Sequence, residues 1–260
     1  MNGILERTLG ILELLAHHGE GLELAAIADT LNIPRSATHR LLTDLVRVGY
    51  VRQAQGRGAY VLTTKLVAMG LSYLGNSGIV DVAQPLLDRL AEHSGELVRL
   101  SVIDGKRLTW VAKAQGSKQG LRYDPDMGSD AHLSCSASGL AWLATLPDDA
   151  AQVLVREQGL GQPADYGPNA PASFKAVLAE LAQTRERGYS VTCETFTAGL
   201  NAMGACVQLK GQAALGVITI AGPTVRLTPA KMKELHIPLL STADQLAAAS
   251  SASPFFNKSP

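Results

Sequence analysis

LAAIADTLNIPRSATHRLLTDLVRVGYVRQAQGRGAYVL, residues 24–62, reads as helix, turn, helix and hairpin. Leu24, Ile27, Ala28 and Leu31 recur at helical spacing and give a short amphipathic helix. Asn32 tolerates the left-handed conformation that closes a helix. Pro34 suits the first turn of the next one, where a missing N–H costs nothing. In that second helix Ala37, Leu41, Leu45 and Val48 share a face, with Leu42 and Val46 flanking. The opposite face carries Arg35, Ser36, His39, Arg40, Thr43 and Arg47, and the wheel places no acid on it. Two short strands follow, Tyr50 to Gln53 and Ala59 to Leu62, with Gly56-Arg57-Gly58 as the turn between them. This order is that of a winged helix-turn-helix. Its second helix is expected in the major groove of DNA, and its wing is expected to bring Arg57 to the backbone or minor groove.

Charge agrees with that reading locally. Residues 35–65 hold six cations and one acid, Asp44, in a chain of formal net charge zero. Phosphate contacts supply most non-specific affinity, so a basic patch matters more than the global balance. Any one of these arginines alone is more often a solvated charge on an ordinary amphipathic helix. The ordered set favours DNA. The candidate contacts are Arg35, Ser36, Thr38, His39, Arg40, Arg52 and Arg57.

Working outward, Ile4, Leu5, Leu9, Ile11, Leu12 and Leu15 form a first helix ending near His17-His18-Gly19. Lys65 to Leu74 reads as a connecting helix broken at Gly75-Asn76-Ser77-Gly78, and Ile79 to His93 as another that Pro85 kinks or starts. Beyond it, Glu96 to Asp104 and Arg107 to Ala114 pair through Asp104-Gly105, and Leu121-Arg122-Tyr123 is a candidate third strand. Ser136 or Ser138 begins a helix through Ala144, and Pro147 opens another through Glu157. Ser173 to Arg187 is a helix capped by Gly188. Three strands follow, Tyr189 to Glu194, Met203 to Leu209 and Ala214 to Ile220, and then a helix from Thr228-Pro229 to about Ser250. Strands and helices mix without βαβ alternation. The class is therefore α+β, a largely antiparallel sheet with flanking helices behind the DNA-reading domain. Domain bounds are expected at 1–63 for the winged helix-turn-helix, 64–78 for a linker helix and 79–250 for the second domain, with 251–260 as a disordered tail.

At 260 residues, 46% hydrophobic and 18% charged, the composition is that of an ordinary globular chain. The neutral balance argues against a general polyanion binder. No apolar run approaches the ~20 residues that cross a bilayer, and Glu6-Arg7 without a following apolar stretch speaks against a signal peptide. Cys135, Cys193 and Cys206 are odd in number and far apart, which fits neither a metal site nor a disulfide framework. A reduced, cytoplasmic setting with no cofactor, metal or membrane partner is expected.

With these pieces in place the chain resembles the IclR family of bacterial transcriptional regulators, from about Ile4 to Leu246. In the first domain the likeness rests on Leu9-Gly10-Ile11-Leu12-Glu13-Leu14-Leu15, on Ile33-Pro34-Arg35-Ser36-Ala37-Thr38-His39-Arg40-Leu41-Leu42 and on Gly49-Tyr50-Val51. In the second it rests on Gly188-Tyr189, Gly199-Leu200-Asn201, Gly222-Pro223 and Arg226-Leu227-Thr228. The resemblance implies a GAF-like effector-binding second domain. It also implies homodimers, often paired into tetramers, on a palindromic operator of double-stranded DNA. The effector loop departs from the family pattern, reading His132-Leu133-Ser134-Cys135-Ser136-Ala137-Ser138-Gly139-Leu140, and Thr192, Ala202, Thr219 and Ala221 stand at positions more polar in some members.

Two chemistries compete for that loop. Cys135 with His132 is a candidate nucleophile and base, but the spacing is too local to orient them and no third group is evident. Serines opening a helix instead cap it and offer free N–H groups to an anion. A small organic acid is the expected effector. Its carboxylate is placed around Ser134, Cys135, Ser136 and Ser138, and its apolar part under Tyr123, Met127, Phe196 and Met203. Cys193, Asn201 and Thr219 complete the candidate set. Ala202 and Ala221 are expected to enlarge the pocket and favour a larger, even aromatic acid, while Trp110 is read as core. The function expected is an effector-controlled repressor of a catabolic operon. Its alternatives are an enzyme using Cys135 and a DNA-bound scaffold that ignores effectors.

Overall fold

The computed structural model describes residues 3–54, 58–77, 79–123 and 127–250, with residues 74–77 and 79–81 as backbone only. The expected tail and Arg57 lie outside the described residues, as do Gly56 and residues 124–126. The chain forms two compact units, Met1–Asn76 and Ser77–Pro260.

The first unit contains α1 (Ile4–Ala16), α2 (Leu24–Leu31), α3 (Arg35–Arg47), β1 (Val51–Gln53), β2 (Tyr60–Leu62) and most of α4 (Thr64–Ser77). Asn32 closes α2 at φ 52° and ψ 48°. Pro34 then stands immediately before α3 at φ −54°. These two residues set the turn between the helices. Ile11, Leu15, Ile27, Leu41, Leu42, Leu45 and Val51 bury together. Each fully buried leucine or isoleucine contributes roughly 1.5–3 kcal/mol relative to exposure. The strands pair antiparallel, Val51 opposite Leu62 and Gln53 opposite Tyr60.

The second unit contains α5 (Ile79–Ser94), β3 (Leu97–Asp104), β4 (Arg107–Gln115), α6 (Ala137–Ala144), α7 (Asp148–Gln158) and α8 (Phe174–Arg187). It continues with β5 (Ser190–Cys193), β6 (Leu200–Val207), β7 (Gly216–Pro223) and α9 (Pro229–Ala249). The five strands form one sheet in the order β4-β3-β7-β6-β5, antiparallel throughout. Strand β7 sits at its centre and is buried along its whole length. That explains the apolar run beginning at Ala213: a strand covered on both faces has no solvent side to alternate toward.

Side-chain alternation divides the sheet into two faces. Val98, Leu100, Met203, Ala205, Ile218 and Ile220 pack with Leu87 and Leu90 of α5 and Leu235 and Leu239 of α9. The other face carries Val217, Leu108 and Trp110 against Leu140 and Leu143 of α6 and Val177 and Leu181 of α8. Trp110 reaches that second face through an irregularity. The β3–β4 register slips between Leu100 and Ser101, so Leu100 pairs with Ala112 but Ser101 pairs with Trp110. A bulge re-aims the side chains beyond it.

Leu121-Arg122-Tyr123 is not a strand. The carbonyl of Leu121 accepts from Arg226 Nη1 at 2.8 Å, and that of Tyr123 from Gln115 Nε2 at 3.0 Å. Side chains, not a ladder, satisfy this segment. The helix α4 also continues through Gly75-Asn76-Ser77, where a break was expected.

Candidate nucleic-acid interface and ligand cavity

On α3 the residues Arg35, Ser36, His39 and Arg40 are exposed together, and Arg52 is exposed on β1. Arg40 has no ion pair with a described residue. Arg35 lies 3.8 Å from Asp29, an exposed pair of little strength. Two expectations fail here. Thr38 is fully buried, and its hydroxyl donates to the Pro34 carbonyl at 3.2 Å, so it cannot touch a groove. It faces inward because its position shares one helix face with buried Leu41, Leu42 and Leu45, and the bond to the carbonyl four residues back satisfies its hydroxyl there. Nor is the basic face free of acid: Asp44 takes Arg47 at 3.1 Å, a helical i, i+3 neighbour. Buried Thr38 stands where a wider apolar stripe was expected, while Val46 and Val48 are each 41% exposed.

In the second unit a cavity of about 30 Å³ lies between the α6 side of the sheet and the start of α6. Arg99, Trp110, Tyr123, Ser136, Ala137, Ser138, Thr192, Phe196, Asn201, Ala202, Thr219 and Ala221 line it. The approach of α6 depends on Gly204: a Cβ there would stand 3.0 Å from the Ala137 carbonyl oxygen. Ser190 Oγ ties down that carbonyl at 2.7 Å. Ser136 caps α6, its Oγ accepting the Gly139 N–H at 3.0 Å. Ser138 Oγ accepts the Trp110 Nε1–H at 3.3 Å.

The structure therefore gathers Tyr123, Ser136, Ser138, Phe196, Asn201 and Thr219 around one cavity and leaves five expected residues away from it. Met203 is fully buried on the opposite face, under α9 and α5. Cys193 also packs toward that face. Period two along a strand separates both from their cavity-facing neighbours Ala202 and Thr192. Met127 packs against the core beside α6 without lining the cavity. Ser134 and Cys135 are fully buried but do not line the cavity: Ser134 Oγ accepts the Gly161 N–H at 3.2 Å, and Cys135 Sγ lies 3.0 Å from His132 Nδ1. Ala202 and Ala221, the two small residues expected to widen the pocket, do line it. Trp110 and Arg99, stacked 3.9 Å from guanidinium carbon to ring centre, line it together with Ala202 and Ala221.

Arg99 escaped the sequence reading. Its signal was present, since it interrupts Leu97-Val98-Arg99-Leu100 on what is otherwise an apolar strand. It is 5% exposed, and its Cζ stacks 3.9 Å from the centre of the Trp110 ring. Burial pulls its guanidinium down to about 10, with Tyr123 opposing. It stays charged at neutral pH.

Cys135 and His132 meet at 3.0 Å. Burial holds the thiol at about 12 and lowers His132. Such a cysteine is a neutral core group, because the thiolate is the nucleophile. At pH 8, alkylation of Cys135 by iodoacetamide is expected to be at least about a hundredfold slower in the native protein than in urea. Rapid native labelling, read by peptide mass spectrometry, would refute this.

The comparisons with known proteins bear on both sites. The IclR helix-turn-helix domain model matches residues 4–55, and the bacterial transcriptional regulator IclR C-terminal model matches residues 71–248. The chain belongs to the IclR family of bacterial transcriptional regulators. The proteins of this IclR family are regulators and not enzymes. Among curated relatives, the acetate operon repressor of Salmonella typhimurium is 28% identical over 246 residues, covering 94% of this chain and 89% of the relative. The HTH-type transcriptional regulator BhcR of Paracoccus denitrificans is 30% identical over 244 residues, 94% of this chain and 85% of its own. The crystal structure of an IclR homologue complexed with 4-hydroxybenzoate from Microbacterium hydrocarbonoxydans superposes with a TM-score of 0.80. It is 19% identical and covers 96% of this chain and 100% of that one. Among the described residues no helix is long and apolar enough to cross a membrane.

Proposed function

We propose that this chain is an effector-controlled repressor that binds a palindromic operator through α3 and senses a small organic acid in the cavity between α6 and the sheet. The observation that carries the DNA half is the exposed set Arg35, Ser36, His39 and Arg40 on one helix, with Arg40 unpaired among the described residues. The relatives named as repressors support the sign of regulation, and control of a catabolic operon is the corresponding physiological role. A homologue's complex with 4-hydroxybenzoate supports a carboxylic acid as effector.

One such domain reads a short half-site, so useful specificity calls for a homodimer or a dimer of dimers. Exposed apolar residues on α1 (Ile4, Leu5 and Leu9) and on α4 (Val67, Met69 and Leu71) offer apolar surface for this pairing. The acid changes operator affinity only by binding the DNA-competent and incompetent arrangements unequally.

Arg40 tests the reading. If it contacts a base, Arg40→Ala costs about 1–3 kcal/mol of operator affinity, roughly 5- to 150-fold. Arg52→Ala, if it holds phosphate, weakens all sequences alike and flattens the salt dependence by about one unit. Footprinting with salt titration on sites captured from the genome measures both. An Arg40→Ala protein with wild-type operator affinity removes that residue from the interface.

A further inference from the structure

Arg99 is the one charged side chain in the cavity wall among the described residues. It is 5% exposed, and both Nε and Nη1 lack a hydrogen-bond partner. Buried charges are ordinarily paired. Here one face of the guanidinium lies on Trp110, and the Tyr123 ring centre is 5.7 Å away. The Trp110 face accommodates the cation and Tyr123 adds a polar interaction with it, but neither leaves Nε or Nη1 with a partner.

The rest of the wall shows where a ligand's charge belongs. Ser136 Oγ already serves its own helix, and Ser138 Oγ already takes the Trp110 N–H. The Thr219 side chain stands beside Arg99 across the β3–β7 pairing. Ala202 and Ala221, opposite one another on β6 and β7, add no polar group. A molecule entering this space therefore meets unused donors chiefly at Arg99. The volume sets the scale of the anchored end: about 30 Å³ corresponds to two or so water positions at ~10–15 Å³ each, room for a carboxylate group.

We propose that Arg99 is the anion receptor of this cavity and that its ligand is a short aliphatic monocarboxylate of about two to four carbons, whose oxygens take the open guanidinium donors. This rests on reading the cavity as the effector site, and it replaces the start of α6 with Arg99 as the principal anchor. Charge-assisted bonds to a carboxylate are stronger than neutral ones, so an uncharged isostere should bind far more weakly.

The test uses the full chain. Sodium acetate, propionate and butyrate are titrated by calorimetry and thermal melting, with sodium chloride at equal ionic strength, acetamide, propionamide and benzoate as comparisons. At tenfold the Kd a bound acid is expected to raise the melting temperature by about 3–6 °C. The amides should shift it little, and Arg99→Met should lose the acid response. The inference is overturned if no short acid exceeds chloride, if amides match acids, if benzoate binds and the short acids do not, or if Arg99→Met binds as wild type does. The amide comparison needs no variant and stands even if Arg99→Met folds poorly. Genomic operator capture by the same wild-type preparation without acid separates the two readings. Failure to bind any discrete site defeats the regulatory reading, whereas operator binding with no Arg99-dependent acid response defeats this inference alone.

Discussion

Arg226→Ala is expected to lower the melting temperature of the C-terminal unit by roughly 6–12 °C. Arg226 grips Glu96 through Nε at 2.6 Å and Nη2 at 2.8 Å, and the Glu96 side chain is only 5% exposed. Removing one member of a buried pair leaves the other charged and unpaired, which costs about 3–5 kcal/mol. Arg226 keeps 34% of its side chain in water, so the lower end applies. For a unit of this size each kcal/mol is worth about 2–4 °C. The Glu96 hydrogen bond is also the main reason the Arg226 pKa lies above its usual value. Differential scanning calorimetry reads the result, and a shift under about 2 °C would show that the pair adds nothing. Glu96→Gln with Arg226→Ala, which leaves no buried charge, should recover part of the loss. The same arginine holds the Leu121 carbonyl two residues before Tyr123, so its loss should also loosen one wall of the cavity.

Leu42→Ala should unfold the DNA-reading unit while sparing the other. Leu42 is fully buried at the centre of the first core. Leucine-to-alanine changes at such sites cost about 2.7–5.0 kcal/mol. A unit of about 76 residues has a total stability of only roughly 4–11 kcal/mol. Operator binding should therefore fall steeply near physiological temperature, with limited proteolysis cutting first within residues 4–76. The Val46→Ala protein, altered on the same helix at an exposed position, should stay within about 0.5 kcal/mol of wild type. Equal sensitivity of the two variants would contradict the packing described for α3.

Local chemistry made much of this fold legible. Asn32 and Pro34 mark the tight turn, and Ser173, Gly188 and Thr228-Pro229 mark helix ends. Each acts through its own backbone or one neighbour, so no knowledge of distant packing is needed. The misses have the opposite character. Thr38 is drawn inward with Leu41, Leu42 and Leu45 of the same helix face, which enter the first unit's core, and Leu121–Tyr123 is held by side chains from Gln115 and Arg226. Met203 and Cys193 have the chemistry of ligand contacts, but period two along their strands puts them on the face under α5 and α9. Trp110 is set by a bulge, which strand periodicity does not announce. Arg99 is the instructive miss: a lone cation in an apolar strand with no acid beside it is visible in the sequence, but only the folded sheet shows that nothing pairs with it.

The alternation of β5, β6 and β7 also shapes how this protein can change over generations. Thr192, Ala202, Thr219 and Ala221 line the cavity, while Met203, Ile218 and Ile220, their immediate chain neighbours, are sealed under α5 and α9. A duplicated copy can thus drift at alternate codons, trading one recognised molecule for another without disturbing the packing that keeps it folded. A biosensor library would exploit the same arrangement by randomising those four positions and holding the other three fixed.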